Sequence, residues 1–281
     1  MDKAIKLNSR IKTHPVHGEC LYLDNGVIEI GVPLSFGIRI AHLSFAGEEN
    51  VFFVQPKDMD IVIGKCGFRL RGGHRLWLAP EGEFDYYADN APIKYGINGN
   101  TVRLTQENDP YLNIIKSMDV SFSGNKVKVT HRIYNTGEKK KVALWALTVM
   151  KGGGVTTIPL PKREGGFDPL YKITAWDYTD LGDKRLKFGK NEIKIYQGKG
   201  ERNVKIGVGH PAGAVTYEIG DTVFKKHIPL YAGKKYPDGG VSFETFVSDY
   251  MTEIEGLSPL KNLLPDKTAT YTETWELCRK L

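Results

Sequence analysis

The sequence predicts an all-β fold: a large twisted antiparallel β-sandwich, with residues 1–281 forming a single domain. Three observations predict it. Apolar and polar residues alternate with period two in many short runs, the pattern of strands buried on one face. Turn signals separate those runs, and the 31 glycines supply the backbone freedom that many turns require. Helical spacing of apolar residues is scarce. So many strands must stack as two sheets, because each has an apolar face to bury.

The elements follow in order. Asn25-Gly26 marks an early hairpin turn, and Asn98-Gly99-Asn100 introduces the strand "TVRLTQ" (101–106). After Ser123-Gly124-Asn125, Val127, Val129 and Ile133 face one way while Lys126, Lys128, Thr130 and Arg132 face the other. "KGGGVTTIPLP" (151–161) reads as an irregular connection whose glycines permit close backbone approach. "DPLYKITAWDYTDL" (168–181) and "LSPLKNLL" (257–264) each predict a turn or two of helix. "NEIKIYQG", "NVKIGVG", "AVTYEIG" and "VSFETFV" read as strands, with "GVGHPAG" (207–213) as a hairpin and Asp238-Gly239-Gly240 as a turn. "YTETWEL" (271–277) puts Tyr271, Glu273, Trp275 and Leu277 on one face and reads as a structural closing strand. His131 lies on the apolar face of its strand and reads as a core histidine.

Composition narrows the function. Hydrophobic content of 41% and charged content of 26% are those of a globular protein. The net charge of +6 is spread along the chain, and Lys139-Lys140-Lys141 reads as a charged turn, so no nucleic-acid surface is expected. No run approaches the roughly 20 apolar residues of a membrane span, and the opening "MDKAIKLNSRIKTHPVHG" has no apolar run of signal-peptide length. Cys20, Cys66 and Cys278 form no CxxC pair, which predicts reduced thiols and a cytoplasmic setting. The 7 histidines show no metal-binding spacing, and "GVGHPAG" runs into a strand rather than the helix a phosphate loop needs. No cofactor and no metal are expected.

Two stretches carry candidate chemistry. "YMTEIEGLSPL" (250–260) puts Glu253 and Glu255 on one strand face with Ile254 on the other. Carboxylates that close repel, which raises one pKa toward the range of a general base or acid. "LRGGHRLWLAPEG" (70–82) gathers Arg71, His74, Arg75, Trp77 and Glu81 around two glycines. Sugars are bound by such a mixture: their hydroxyls take charged hydrogen-bond partners and their C–H faces pack on aromatic rings.

These segments, with "GVPLSFGIRIAHLSFAGEEN" (31–50), "RIYNTGEKKKVALWALTVMKGGG" (132–154) and the C-terminal "SFETFVSDYMTEIEGLSPLKNLLPDKTATYTETWEL" (242–277), resemble the galactose mutarotase-like, or aldose 1-epimerase, superfamily, and within it a DUF4380-type branch. The arginine loop resembles that of hexose-6-phosphate epimerases. The resemblance implies a twisted sandwich with a sugar site on its concave face. It also implies a late-strand glutamate, Glu255 or Glu253, that takes the anomeric proton. Arg75, Arg71 and Arg39 would bind substrate, with Trp77 against the ring and Glu81 beside it. The family's central-strand histidine has no counterpart here: between His131 and His210 there is none. His74 or His210 would have to serve as the acid. The expected function is a sugar epimerase or isomerase acting on a mono- or oligosaccharide, with phosphorylated and acidic sugars among the candidates. The alternatives are a carbohydrate-binding protein without catalysis and, behind it, a lyase or glycoside-processing enzyme for acidic sugars.

Overall fold

The structure, a computed structural model, describes residues 7–57, 68–87, 90–162, 165–167 and 169–280. Its strands are β1 (Asn8–His14), β2 (Gly18–Asp24), β3 (Ile28–Pro33), β4 (His42–Phe45), β5 (Gly73–Ala79), β6 (Ile93–Asn98), β7 (Thr101–Gln106), β8 (Ile114–Ser123), β9 (Lys126–Asn135), β10 (Lys140–Lys151) and β11 (Val155–Pro159). There follow β12 (Ile173–Ala175), β13 (Leu186–Phe188), β14 (Glu192–Tyr196), β15 (Val204–Val208), β16 (Val215–Ile219), β17 (Thr222–His227), β18 (Phe243–Val247), β19 (Met251–Leu257), β20 (Lys261–Leu263) and β21 (Thr268–Arg279). Among the described residues the one helical element is a 3-10 turn, Glu83–Tyr87. Both stretches expected to turn helically are extended instead, carrying β12 and the end of β19 with β20. So short an apolar run fits a three-residue strand as well as a helical turn, and the ladders of β12 on β15 and β20 on β10 decide.

The strands form three antiparallel sheets. The large sheet has ten strands, ordered β13-β14-β11-β16-β17-β21-β9-β8-β7-β6. The central sheet has seven, ordered β12-β15-β18-β19-β10-β20 with β5 also on β10, and the N-terminal sheet has β1 to β4 in order. In β8, β9 and β21 every second residue is buried, the alternation read in the sequence. Many of those side chains, among them Val120, Val129 and Trp275, share an apolar cluster with the inner residues of the other two sheets, from Leu23 and Ile30 to Ile206 and Ile254. "GVGHPAG" departs from its expectation: it leads from β15 in the central sheet to β16 in the large one, so it crosses between layers rather than closing a hairpin.

β5 and β19 are buried along their whole length. The central sheet is therefore covered on both faces. One face meets the large sheet: Leu76, Leu78, Leu144 and Ala146 pack on Ile133, Ala269 and Tyr271. The other carries a second apolar cluster, with Trp77, Trp145, Leu147, Met251 and Leu257. Glycine lets β5 begin. Gly72 and Gly73 lie at φ 83° and 70°, and a Cβ on Gly72 would stand 1.9 Å from the Phe53 carbonyl oxygen.

A polar pin crosses the sandwich. Lys226 from β17 and Glu273 from β21 pair at 3.3 Å, both without exposure. The Lys226 Nζ also donates to the carbonyls of Ala146 and Ile254, at 2.9 and 3.0 Å, and to Thr148 Oγ1 at 2.9 Å. Trp275 Nε1 donates to Glu273 at 2.6 Å. Burial draws the Lys226 pKa down and Glu273's up, while each partner pulls the other back toward its charged form. Removing one member strands the other in the core. Lys226→Met is expected to cost about 3–5 kcal/mol in urea unfolding, and adding Glu273→Gln to recover a large part of it. Equal loss in the single and double variants would show that the pair does not act as a unit.

Candidate functional site

Strand register builds the site on the outer face of the central sheet. Across β5, β10, β19 and β18 the residues directly opposite are Arg75, Leu147, Glu255 and Glu244. One pair along lie Gly73, Val149, Glu253 and Phe246, and then Lys205 of β15. In the other direction Trp77, Trp145 and Leu257 are aligned. Opposed residues share a face, so five strands deliver three glutamates, an arginine, a lysine and two tryptophans to one surface.

Lys205 joins them. Its Nζ lies 3.0 Å from Glu244 Oε2 and 3.5 Å from Glu255 Oε2. The same ammonium sits 4.5 Å from the ring centres of both Trp145 and Trp176. Trp145 Nε1 donates to Glu255 Oε2 at 2.8 Å. Arg75 donates to Glu253 at 3.2 Å, with its guanidinium 4.3 Å above the Trp77 ring. At the rim, exposed Glu81 accepts a hydrogen bond from Tyr86. Trp176, Phe246 and Tyr250 are half-buried around a floor in which Glu255 and Glu244 are 0% and 1% exposed.

Desolvation governs the electrostatics. Burial, with Glu253 and Glu81 adding to it against the pull of Lys205, pushes the Glu255 pKa up to about 7. Burial and the neighbouring Glu255 push Glu244 up to about 9. Burial alone would lower the Lys205 pKa, but Glu255 and Glu244 outweigh it and hold the ammonium above the usual lysine range. Among the described residues, five polar atoms of this floor are buried without a hydrogen-bond partner: Glu255 Oε1, Glu244 Oε1, Arg75 Nε and Nη1, and Trp77 Nε1. Native cores rarely leave such groups unmatched, and here they share one face.

The sequence-predicted residues divide. Glu253, Glu255, Arg75 and Trp77 meet on the floor, with Glu81 at its edge. His74 does not join them. Strand alternation turns it to the opposite face from Arg75, where it bonds Thr148 Oγ1 at 2.9 Å and His131 Nε2 at 3.0 Å without exposure. Burial holds its pKa well below the usual histidine value, so it is a neutral core group. Arg39 is buried beneath the start of β5 and donates to the carbonyls of Leu70 and Gly72, holding the chain there. Arg71 lies over the Phe36 ring at 3.8 Å and donates to Asn90 at 2.9 Å. His210 packs on Tyr236, at the crossing between sheets. Cys66 lies outside the described residues; Cys20 and Cys278 are free.

The sequence reading missed Lys205, Glu244, Trp145 and Trp176. Each of the first two is a lone charge inside an apolar strand, "NVKIGVG" and "VSFETFV", and that is the signal that marks them. Among the described residues one cluster has metal-ligand proximity, His74, His131 and Glu273, whose donor atoms lie within 4.8 Å of one another. It sits in the sandwich core. Lys226 Nζ stands 3.3 Å from the same Glu273 oxygen, so the place of a cation there is already taken by an ammonium.

The chain matches solved structures along nearly its whole length. A galactose mutarotase-like protein from Clostridium acetobutylicum superimposes with TM-score 0.54 at 12% identity, covering 99% of this chain and 100% of that one. One from Lactobacillus casei gives 0.54 at 12%, covering 92% and 100%. A galactose mutarotase related enzyme from Lactobacillus acidophilus gives 0.52 at 10%, covering 93% and 100%. The fold is that of the galactose mutarotase-like proteins. No family model and no curated protein matches the chain. Among the described residues no helix is long and apolar enough to cross a membrane.

The raised carboxyls have a consequence for stability. Between the ordinary glutamate pKa of 4.5 and about 9, folded Glu244 binds protons that the unfolded chain does not. Its contribution is therefore fully present at low pH and is lost as pH rises through that window. Thermal unfolding from pH 5 to pH 9 is expected to show a falling melting temperature, and a shallower fall in Glu244→Gln. Parallel slopes would mean that Glu244 titrates normally.

Proposed function

We propose that the chain, acting as one domain, binds a neutral sugar on the outer face of the central sheet and opens and recloses its ring at the anomeric carbon, as an aldose 1-epimerase-type isomerase. One observation carries the reading. Glu255 is fully buried, has an unpartnered oxygen, and stands among Trp77, Trp145, Arg75 and Lys205. A carboxyl of pKa about 7 is half ionised at neutral pH, which suits a group that must take a proton and return it. The indoles of Trp77 and Trp145, edge to face at 5.8 Å, offer an apolar floor to a pyranose C–H face. Arg75 Nε and Nη1 offer donors to hydroxyls. Since the floor is closed in this structure, substrate reaches it only when the rim around Trp176, Phe246 and Tyr250 parts. The fold shared with galactose mutarotase-like proteins agrees with a sugar ligand.

Charge selects the sugar. Among the described residues, Glu244, Glu253, Glu255 and Glu81 are matched on this surface by Lys205 and Arg75, both already beside carboxylates. That balance repels phosphorylated sugars and uronates and weighs against a lyase for acidic sugars. Binding without turnover rests on one observation, that His74 faces the other way. The DUF4380-type placement rests on the arginine-loop and Glu-x-Glu motifs, and the free thiols of Cys20 and Cys278 suit a reducing, cytoplasmic setting.

A thermal-shift screen against neutral sugars, sugar phosphates and uronates is expected to raise the melting temperature with a neutral sugar alone. With that sugar, NMR anomer exchange should fall by roughly 10²–10⁴-fold in Glu255→Gln, which keeps the Trp145 hydrogen bond and the fold. Arg75→Ala should weaken binding of the same sugar. Binding without exchange would establish the binder; a shift with phosphates alone would contradict the charge argument.

A further inference from the structure

An acid must accompany the base in ring opening, and among the described residues no histidine stands with Glu255 on the floor. Glu244 does. It is the direct cross-strand partner of Glu255, and one ammonium, Lys205, lies against both carboxyls at 3.0 and 3.5 Å. Each carboxyl spends one oxygen on that lysine and keeps the other, Oε1, unpartnered. All three side chains are at least nine-tenths buried. Two carboxylates and one ammonium in a desolvated site carry an uncompensated negative charge, and the inexpensive remedy is a proton.

We infer that Glu244, Lys205 and Glu255 form a one-proton relay, in which Glu244 holds the proton and gives it to the sugar ring oxygen while Glu255 takes the proton of the anomeric hydroxyl. The inference rests on the ring-opening reading. The step balances. Glu255 carboxylate removes the O1 proton, the O1–H electron pair forms the second C1–O1 bond of the aldehyde, the C1–O5 pair leaves on O5, and Glu244 protonates O5. On closure the O5 hydroxyl adds to C1, its proton returns to Glu244, and Glu255 restores the proton to O1. Besides Lys205, Glu253, Glu81 and Asp238 act on the pair toward keeping a proton, while the Trp145 indole, which donates to Glu255 Oε2, and Lys226 on the opposite face act toward ionisation; Tyr178 and Arg75 are nearby. All the nearby carboxylates favour keeping the proton. The shifts of both carboxyls above the ordinary range agree with it.

Sharing has a signature that two independent carboxyls lack. Infrared spectra in deuterated buffer near neutral pH are compared among wild type, Glu244→Gln, Glu255→Gln and Lys205→Met. The wild type is expected to show a protonated-carboxyl carbonyl band that both glutamine variants lose, because either remaining carboxylate ionises against Lys205. Lys205→Met, with no cation, should instead gain intensity. No difference between wild type and the glutamine variants would overturn the inference, because both carboxyls would then be ionised. Should a glutamine variant fail to fold, Lys205→Met supplies the test with opposite sign. Anomer exchange of D-glucose, D-galactose and D-xylose is followed in the same proteins. Exchange that survives Glu244→Gln within a few-fold would remove Glu244 as the acid. If the infrared pattern holds but wild type exchanges none of the three sugars, the shared proton stands and ring opening of these sugars fails.

Discussion

Lys226 rises from the large sheet and ends against the backbone of the central one. Its ammonium takes the carbonyls of Ala146 in β10 and Ile254 in β19, together with Thr148 and the Glu273 carboxylate. Those strands are the ones whose opposite face presents Trp145, Leu147, Glu253 and Glu255. The pin therefore does more than join two layers. It fixes the spacing of β10 and β19 behind the site, at the rows where the candidate base stands. A buried ion pair is weak grounds for stability, because desolvation consumes much of the attraction. As a means of holding one arrangement of two sheets it has a clearer use: a slip of β19 by one residue would put Glu255 into the core and Ile254 on the floor.

A second buried lysine stands on the other face of the same sheet, and the contrast separates structure from function. Lys226 has one carboxylate and finishes its hydrogen bonding on carbonyls and a hydroxyl. Lys205 has two carboxylates and two indole faces, and both carboxylates keep an oxygen without a partner. The Lys226 ammonium is satisfied by its fold, although Glu273 Oε2, His131 Nδ1 and the Tyr271 hydroxyl near it stay unpartnered; the floor around Lys205 leaves more such atoms, five of them. Unpaired donors and acceptors are costly, and they persist where a ligand's hydroxyls can complete them. Unpartnered atoms occur in both places, but the His74–His131–Glu273 cluster is already filled by the Lys226 ammonium in the sandwich core, whereas the floor of Arg75, Trp77, Glu244 and Glu255 lies beneath the half-buried rim of Trp176, Phe246 and Tyr250, which makes it the place where a polar molecule belongs.

What the sequence made legible was parity. Alternation in "TEIEG" put Glu253 and Glu255 on one face, and alternation in "YTETWEL" put Glu273 and Trp275 on another, and the register confirms both. Parity is local, so it survives without knowledge of partners. Pairing is not local. Glu244 and Glu255 are opposed because β18 and β19 are neighbours, and Lys205 reaches them because β15 lies on β18's far side. Nothing in "NVKIGVG" states that. The crossing at "GVGHPAG" escaped for the same reason: a glycine-rich link between strands looks alike whether they share a sheet or face each other across a core.

Parity also bears on the missing histidine. In "GGHRLW", His74 and Arg75 are neighbours in a strand, so one sheet face cannot hold both. Arg75 and Trp77, two apart, necessarily go together. Once Trp77 is opposed to Trp145 and Arg75 to Leu147, His74 is committed to the core beside Thr148. On β10 the floor positions are Trp145, Leu147 and Val149, all apolar, so the central strand offers no acid either. The protic groups directly against Glu255 are Glu244, Lys205 and the Trp145 indole, with the Tyr178 phenol farther out, and the lysine is held in its charged form by the carboxylates beside it. With no histidine on this surface, proton chemistry there falls first to the opposed glutamates, and fold alone does not decide whether it occurs. The choice depends on how many protons two buried carboxyls keep when they share a single cation.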